Sequence, residues 1–230
     1  MYKIVVLTGA GISAESGIKT FRGADGLWEG HKIEDVATPE AFYKNPELVY
    51  HFYNLRRAQL LDPAIKPNAA HISLAQFEKQ FPHNINIITQ NVDNLHERAG
   101  SKNILHMHGK LQSIRCSKSG KSYPWTEDLD AHTPHPEGEN NSLRPDIVWF
   151  GEMPMFMEEI ESLLNDCDIF IAIGTSGVVY PAAGFVNWTK STCQKIEFNL
   201  EKTEISPIFD QSILGPASET VPLWIEKLLR

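Results

Sequence analysis

The strongest constraint on this chain lies in residues 4–28, IVVLTGAGISAESGIKTFRGADGLW. Ile4-Val5-Val6-Leu7 is apolar throughout and too short for anything but a buried strand. Gly9-Ala10-Gly11-Ile12-Ser13-Ala14 follows at once with the spacing G-x-G-x-x-A. In that spacing Gly9 permits a tight turn and Gly11 lets a pyrophosphate approach the backbone. Ala14 is small enough for the next helix to lie close on the strand. The N–H groups that open this helix then face the phosphates. A glycine-bearing strand-to-helix turn that binds nothing has the same spacing. Residues 16–22 are too polar and small for a long amphipathic helix, which points to a loop carrying Phe21, Arg22 and Trp28 over whatever the turn holds.

A chain of 230 residues suits one large domain, alone or with a small companion. Its apolar runs fall short of a membrane span, and it opens on a strand in place of an export signal. A formal net charge of −8 argues against general nucleic-acid affinity but not against binding a basic peptide. Cys116, Cys167 and Cys193 are widely spaced, as in a reducing cytoplasm, and offer no disulfide framework. A soluble cytoplasmic protein is expected.

Beyond the first loop, Thr38-Pro39 reads as a helix N-cap followed by proline at the first helical position. Residues 47–61 read as a second helix, in which Tyr53 and Arg56 share a face and Phe52 and Leu55 anchor the neighbouring stripe. A phenol beside a guanidinium can recognise a carboxylate; a surface tyrosine next to a solvated arginine reads the same way. Asn68 reads as the cap of a helix with Ala70, Leu74, Phe77 and Phe81 on one side, and residues 85–89 read as a second buried strand. Gln90, Asn91, Val92 and Asp93 sit at the carboxyl end of that strand, where an open α/β sheet binds ligands. Their amides and carboxylate complement a primary carboxamide, although the stretch also reads as a capping loop.

Residues 104–109 read as a short strand with His106 and His108 on one face. A general base is the reading with chemical consequence, best placed at His108; a hydrogen-bonded core histidine accounts for at least one of the two. Residues 146–152 look like a strand ending at an acidic turn, able to add a peptide by strand pairing or to serve as a plain core strand. A helix over residues 153–166, with Met157, Ile160 and Leu164 inward, leads to a third core strand at 169–173. Gly174, Thr175 and Ser176 then suit phosphate or ribose, or an ordinary turn. A fourth strand at 196–198 ends in Asn199, Leu200 and Glu201, which suit ribose or adenine, or a cap.

Taken together, GAGISAESGI, TFRGADGLW, TQNVDNLHERAG, HMHG, VWFGE, IGTSGVVYPAAG and NLE form an ordered series covering nearly the whole chain. The series resembles the sirtuins, NAD-dependent protein-lysine deacylases, and within them the CobB-type bacterial branch. The resemblance implies an α/β fold: a Rossmann-like parallel sheet with helices on both faces, plus a smaller inserted domain. The large domain would take residues 1–28, 66–109 and 148–230, and the small one 29–65 and 110–147. NAD would be a consumed co-substrate. Gly9, Ala10, Gly11, Ala14, Thr20, Phe21, Arg22 and Trp28 would line the cofactor loop. Gln90, Asn91, Val92 and Asp93 would form the nicotinamide and ribose pocket. Gly174, Thr175 and Ser176 would meet phosphate and ribose, and Asn199, Leu200, Glu201 and Ala217 the adenosine. His108 would be the general base, with Asn91 catalytic beside it. Val148, Phe150 and Gly151 would pair with the backbone of an acyl-lysine substrate. Tyr53 and Arg56 match the Tyr-x-x-Arg of the branch that accepts succinyl and malonyl groups beside acetyl. The products would be free lysine, nicotinamide and O-acyl-ADP-ribose, and the protein a monomer.

The chain departs from the family in its small domain, where two cysteine pairs usually bind a structural zinc. Only Cys116 remains there, position 119 is serine, and His132 and His135 have a spacing unlike the family's, stiffened by Pro134 and Pro136. A structural zinc is not expected. The rival functions are a mono-ADP-ribosyltransferase, which shares the nicotinamide-releasing step, and a non-catalytic reader of NAD or acyl-lysine, which would need no base.

Overall fold

The computed structural model describes residues 2–19, 30–82, 84–138 and 142–229. In chain order, β1 (Ile4–Thr8) leads into one helical turn, α1 (Gly11–Ala14). Helices α2 (Ile33–Val36), α3 (Pro39–Lys44), α4 (Pro46–Leu61) and α5 (Ala69–Gln80) follow. Next come β2 (Ile85–Thr89), α6 (Leu95–Ala99) and β3 (Ile104–His106). The chain then runs through β4 (Gly109–Cys116), β5 (Ser122–Pro124) and β6 (Leu143–Ile147). It closes with α7 (Met157–Asp166), β7 (Ile169–Ile173), β8 (Gln194–Asn199), β9 (Gln211–Leu214) and α8 (Ala217–Leu228).

Two sheets result. The larger has the order β3-β2-β1-β7-β8-β9, with every pairing parallel. All five residues of β1 are buried because helices cover both of its faces. Ile4 and Val6 pack with Ala70, Leu74 and Phe77 of α5 and with Val221 and Ile225 of α8. Val5 and Leu7 face the other way, toward Ile160 and Leu164 of α7 and Phe185. The smaller sheet, β5-β4-β6, is antiparallel. It rests on α4, where the Tyr50 hydroxyl donates to the Leu143 carbonyl at 2.8 Å and Arg57 Nε to that of Leu111 at 2.9 Å.

Capping chemistry sets the helices where the sequence predicts them. Thr38 Oγ1 accepts from Ala41 N at 3.0 Å with Pro39 behind it, and Asn68 Oδ1 accepts from Ala70 N at 3.0 Å. Each such cap is worth ~1 kcal/mol. Asn68 also donates to the Ile12 carbonyl at 2.7 Å, so the cap of α5 tethers the turn after β1. Cys116, Ile114, Leu129 and Leu143 form a buried cluster under the small sheet, with Tyr123 and Trp125 packed against it.

Several expectations need correction. The stretch 104–109 is not one strand: β3 stops at His106, and Gly109 opens β4 in the other sheet. The strand expected at 146–152 is β6, which ends at Ile147; beyond it the N–H groups of Val148, Trp149 and Phe150 donate to the His108 carbonyl, the Glu152 carboxylate and the Ala37 carbonyl. The helix expected from 153 begins at Met157. Leu55 anchors nothing, being 46% exposed. β9 was not foreseen.

Candidate active site

The strand order reverses between β1 and β7, and ligands of open α/β sheets bind outside the carboxyl ends of strands at such a point. A cleft of about 1270 Å³ opens there, lined by the turns after β1, β2, β7 and β8 and by the start of α8. Its far wall comes from α4 and the stretch after β6. It brings together Gly9, Ala10 and Gly11, the run 90–93, His108, Gly174 to Ser176, Asn199 to Glu201, Ala217, Tyr53, Arg56, Val148, Phe150 and Gly151. Ala14 is half-buried in α1 and does not line it. Thr20, Phe21, Arg22 and Trp28 lie outside the described residues.

The glycines of the first turn also make a contact that the motif does not predict. A Cβ on Gly9 would stand 2.6 Å from the Gly174 carbonyl oxygen, and one on Gly11 2.6 Å from Gly174 Cα. Gly11 N donates to Gly174 O at 3.0 Å, and Gly9 N to Ile173 O at 3.0 Å. The turns after β1 and β7 therefore touch backbone to backbone, and glycine is required for that contact before any ligand arrives. Within α1, Ile12 N and Ser13 N donate to the carbonyls of Gly9 and Ala10, which closes the single turn.

Below the cleft floor runs a string of buried polar groups. Thr8 Oγ1 donates to Thr89 Oγ1 at 2.9 Å and stands 3.1 Å from His96 Nε2. Thr89 Oγ1 accepts from Asn91 N at 3.0 Å, which fixes the turn after β2. Asn91 Nδ2 donates to Gly9 O and to Ser13 Oγ, both at 3.1 Å. With both amide hydrogens committed, its oxygen is left as the acceptor for a ligand. Ser13 Oγ donates to Asp93 Oδ2 at 2.9 Å, and Leu95 N to Asp93 Oδ1 at 3.0 Å. Burial raises the Asp93 pKa, opposed by those two hydrogen bonds. Ser13 was overlooked in the sequence although it stands inside the glycine motif; its partners are some 80 residues away.

His106 and His108 take different roles because β3 ends between them. His106 is buried, with Nε2 2.8 Å from Glu97 Oε1 and Nδ1 3.3 Å from Asn91 O. Burial would raise the Glu97 pKa, but the hydrogen bond and charge of His106 outweigh it and hold it at about 2. His108 faces the cleft. Its Nδ1 lies 3.0 Å from the Gln90 carbonyl, which can only accept, so Nδ1 carries the hydrogen and Nε2 the lone pair. Burial lowers its pKa below the ordinary imidazole value, and the Gln90 contact partly restores it. A neutral imidazole with Nε2 bare is the form a general base needs.

On the far wall Tyr53 is fully buried, its hydroxyl oxygen 3.0 Å from Trp149 Nε1. Arg56 lies one turn on, its guanidinium 5.3 Å from the Phe52 ring centroid. Asn199 Nδ2 donates to the Thr175 carbonyl at 3.0 Å, so this side chain joins two of the turns that line the cleft.

In the small sheet, Cys116 Sγ donates to Ser142 Oγ at 3.3 Å and accepts from Ser119 N at 3.4 Å. His135 Nδ1 accepts from Glu137 N at 2.9 Å. Among the described residues no group of three or more histidine, cysteine, aspartate or glutamate side chains converges as a metal site. Nor is any helix among them long and apolar enough to cross a membrane.

Fold and cleft together define an α/β protein with a parallel sheet, an open cleft at its strand-order reversal and a histidine facing that cleft. The Sir2 family profile matches residues 9–181. The NAD-dependent protein deacylase of Bdellovibrio bacteriovorus is 59% identical over 227 residues, covering 98% of this chain and 96% of the relative. A solved Sir2 homologue in complex with NAD superposes with a TM-score of 0.88 at 39% identity, covering 98% of this chain and 89% of that one. A Sir2 structure with a p53 peptide and NAD+ gives a TM-score of 0.81 at 32% identity, covering 97% and 92%. The chain belongs to the Sir2 family.

Proposed function

We propose that this chain is an NAD-dependent protein-lysine deacylase that removes succinyl and malonyl as well as acetyl groups, releasing nicotinamide and O-acyl-ADP-ribose. The observation that carries the reading is a single cleft in which the bare Nε2 side of His108 faces the same space as Asn91, Asp93, Tyr53 and Arg56. The large domain would comprise residues 1–28, 66–109 and 148–230, and the small one 29–65 and 110–147. The relative crystallised with NAD supports the choice of dinucleotide, and so does the meeting of the two glycine turns at the strand-order reversal.

NAD, when bound, supplies the nicotinamide–ribose bond whose cleavage opens the sugar to the acyl oxygen. Gly9, Ala10, Gly11, Gly174, Thr175 and Ser176 hold the phosphates and a ribose, joined by Thr20, Phe21, Arg22 and Trp28 of the same sequence motif. Asn199, Leu200, Glu201 and Ala217 border the adenosine. Gln90, Asn91, Val92 and Asp93 take the nicotinamide end, where the Asn91 oxygen offers an acceptor to a carboxamide or hydroxyl. His108 Nε2 would receive a proton from a ribose hydroxyl whose oxygen adds to the acyl carbon; a water would then add to the same carbon as its bond to the lysine nitrogen breaks, freeing the amine. Val148, Phe150 and Gly151 border the peptide. The N–H groups of Val148, Trp149 and Phe150 are already donated within the chain, so these three residues offer a substrate backbone their carbonyls.

The acyl chain points toward Tyr53 and Arg56, and a terminal carboxylate meets a phenol and a guanidinium. A hydrogen-bonded charge pair of this kind is worth ~1.5–3 kcal/mol. Arg56→Met therefore lowers kcat/KM for a succinyl-lysine peptide by about 10- to 100-fold more than for the matched acetyl peptide. Equal losses on both would contradict carboxylate recognition.

A further inference from the structure

We propose that Trp149 is a positioning residue for acyl selectivity: its indole N–H, 3.0 Å from the Tyr53 hydroxyl oxygen, sets the direction in which that phenol donates. The inference rests on the reading of Tyr53 and Arg56 as the carboxylate-binding pair and explains how one member of the pair is oriented. An indole N–H is a donor only, so the phenol oxygen must be the acceptor in this contact. The phenol's own hydrogen is thereby turned away from Trp149 and becomes what the oxygen offers elsewhere. A donor is what a carboxylate requires; a phenol free to rotate would present a lone pair part of the time and repel one. Burial pushes the Tyr53 pKa up, so the hydroxyl keeps that hydrogen throughout the working pH range.

The indole is itself clamped from several sides, which a merely space-filling ring does not need. The Arg144 guanidinium carbon lies 3.5 Å from the ring centroid. Arg144 forks onto Glu152, Nη1 to Oε1 at 2.6 Å and Nη2 to Oε2 at 2.9 Å, and Nη2 also donates to the Ile147 carbonyl at 2.8 Å. Glu152 Oε2 in turn accepts from the backbone N–H of Trp149 at 2.8 Å. One carboxylate thus fixes the residue's backbone directly and its ring through the arginine. With 2% of its surface exposed, Trp149 has no room to swing away from α4.

Trp149→Phe removes the N–H and keeps an aromatic ring in place. With the full chain, NAD and matched acetyl- and succinyl-lysine peptides, it is expected to lower the succinyl-to-acetyl ratio of kcat/KM about fivefold, through KM for the succinyl peptide. In a Tyr53→Phe background the same change should move that ratio by less than about twofold, since the hydroxyl it orients is gone. Equal effects on both peptides, or an undiminished fall in the Tyr53→Phe background, would overturn the proposal. If Trp149→Phe does not fold, Arg144→Lys replaces it: a ratio lowered only when Tyr53 is present supports the proposal, and an unchanged ratio overturns it. Tyr53→Phe and Arg56→Met separate the two layers. If neither lowers the ratio, the carboxylate reading has failed; if they lower it and Trp149→Phe does not, only the positioning role has.

Discussion

At the scale of single residues, the chemistry turns on which nitrogen of His108 faces the cleft. The Gln90 carbonyl answers that by holding Nδ1–H, and burial keeps the ring neutral to lower pH than a solvated imidazole. A base must be deprotonated to act, so activity is lost as pH falls through a pKa that lies below 6.5, the ordinary value. The acid limb of kcat/KM for an acyl peptide should accordingly have its midpoint below 6.5 and be flat from pH 7 to 8. His108→Ala should fold, as judged by its thermal melt, while deacylation falls by ~10²–10⁴-fold. A midpoint above 7, or undiminished turnover of His108→Ala, would remove the imidazole from its role. The sequence puts His106 and His108 on one strand face and favours His108 as the base only for its place at the strand end. Their separation became visible only with the strand end at His106, which commits the first ring to Glu97 and leaves the second to the cleft. The same limit applies to Trp149, Arg144 and Glu152, whose link to Tyr53 spans 96 positions and leaves no mark in local spacing.

At the scale of elements, the decisive contact is between the turns after β1 and β7. Gly174 has φ +62°, and a Cβ there would stand 2.4 Å from Ile12 N, so alanine is excluded both by conformation and by space. Gly174→Ala should cost about 2–4 kcal/mol in urea unfolding and weaken NAD binding with it. Gly138→Ala isolates the conformational part: its φ is +86° with nothing within 4 Å, and ~1–2 kcal/mol is expected. Equal costs at the two positions would mean that the turns do not press on each other. The elements that could be read in advance were those with local causes. The apolar run of β1 has only one way to be buried, Thr38-Pro39 and Asn68 cap their helices by proximity, and the polar run 90–93 follows directly from a core strand. β9 escaped because it is a half-buried edge strand of four residues without clear alternation. The alternating look of residues 104–109 misled because Met107 is a core residue at the passage between two sheets and belongs to neither strand.

At the scale of the whole molecule, the proposed base, His108, belongs to the crossing from one sheet to the other, the proposed cofactor turns to the large sheet and the proposed acyl wall to α4. The three meet only in the cleft, so cofactor and acyl-lysine must share it for reaction. The direct test is to incubate the full chain with NAD and an acetyl-lysine peptide and to count nicotinamide and free lysine together. The account predicts nicotinamide and deacylated peptide in a one-to-one ratio, with negligible nicotinamide when the peptide carries an unmodified lysine. NAD left intact in the presence of acetyl-, succinyl- and malonyl-lysine peptides alike would contradict it.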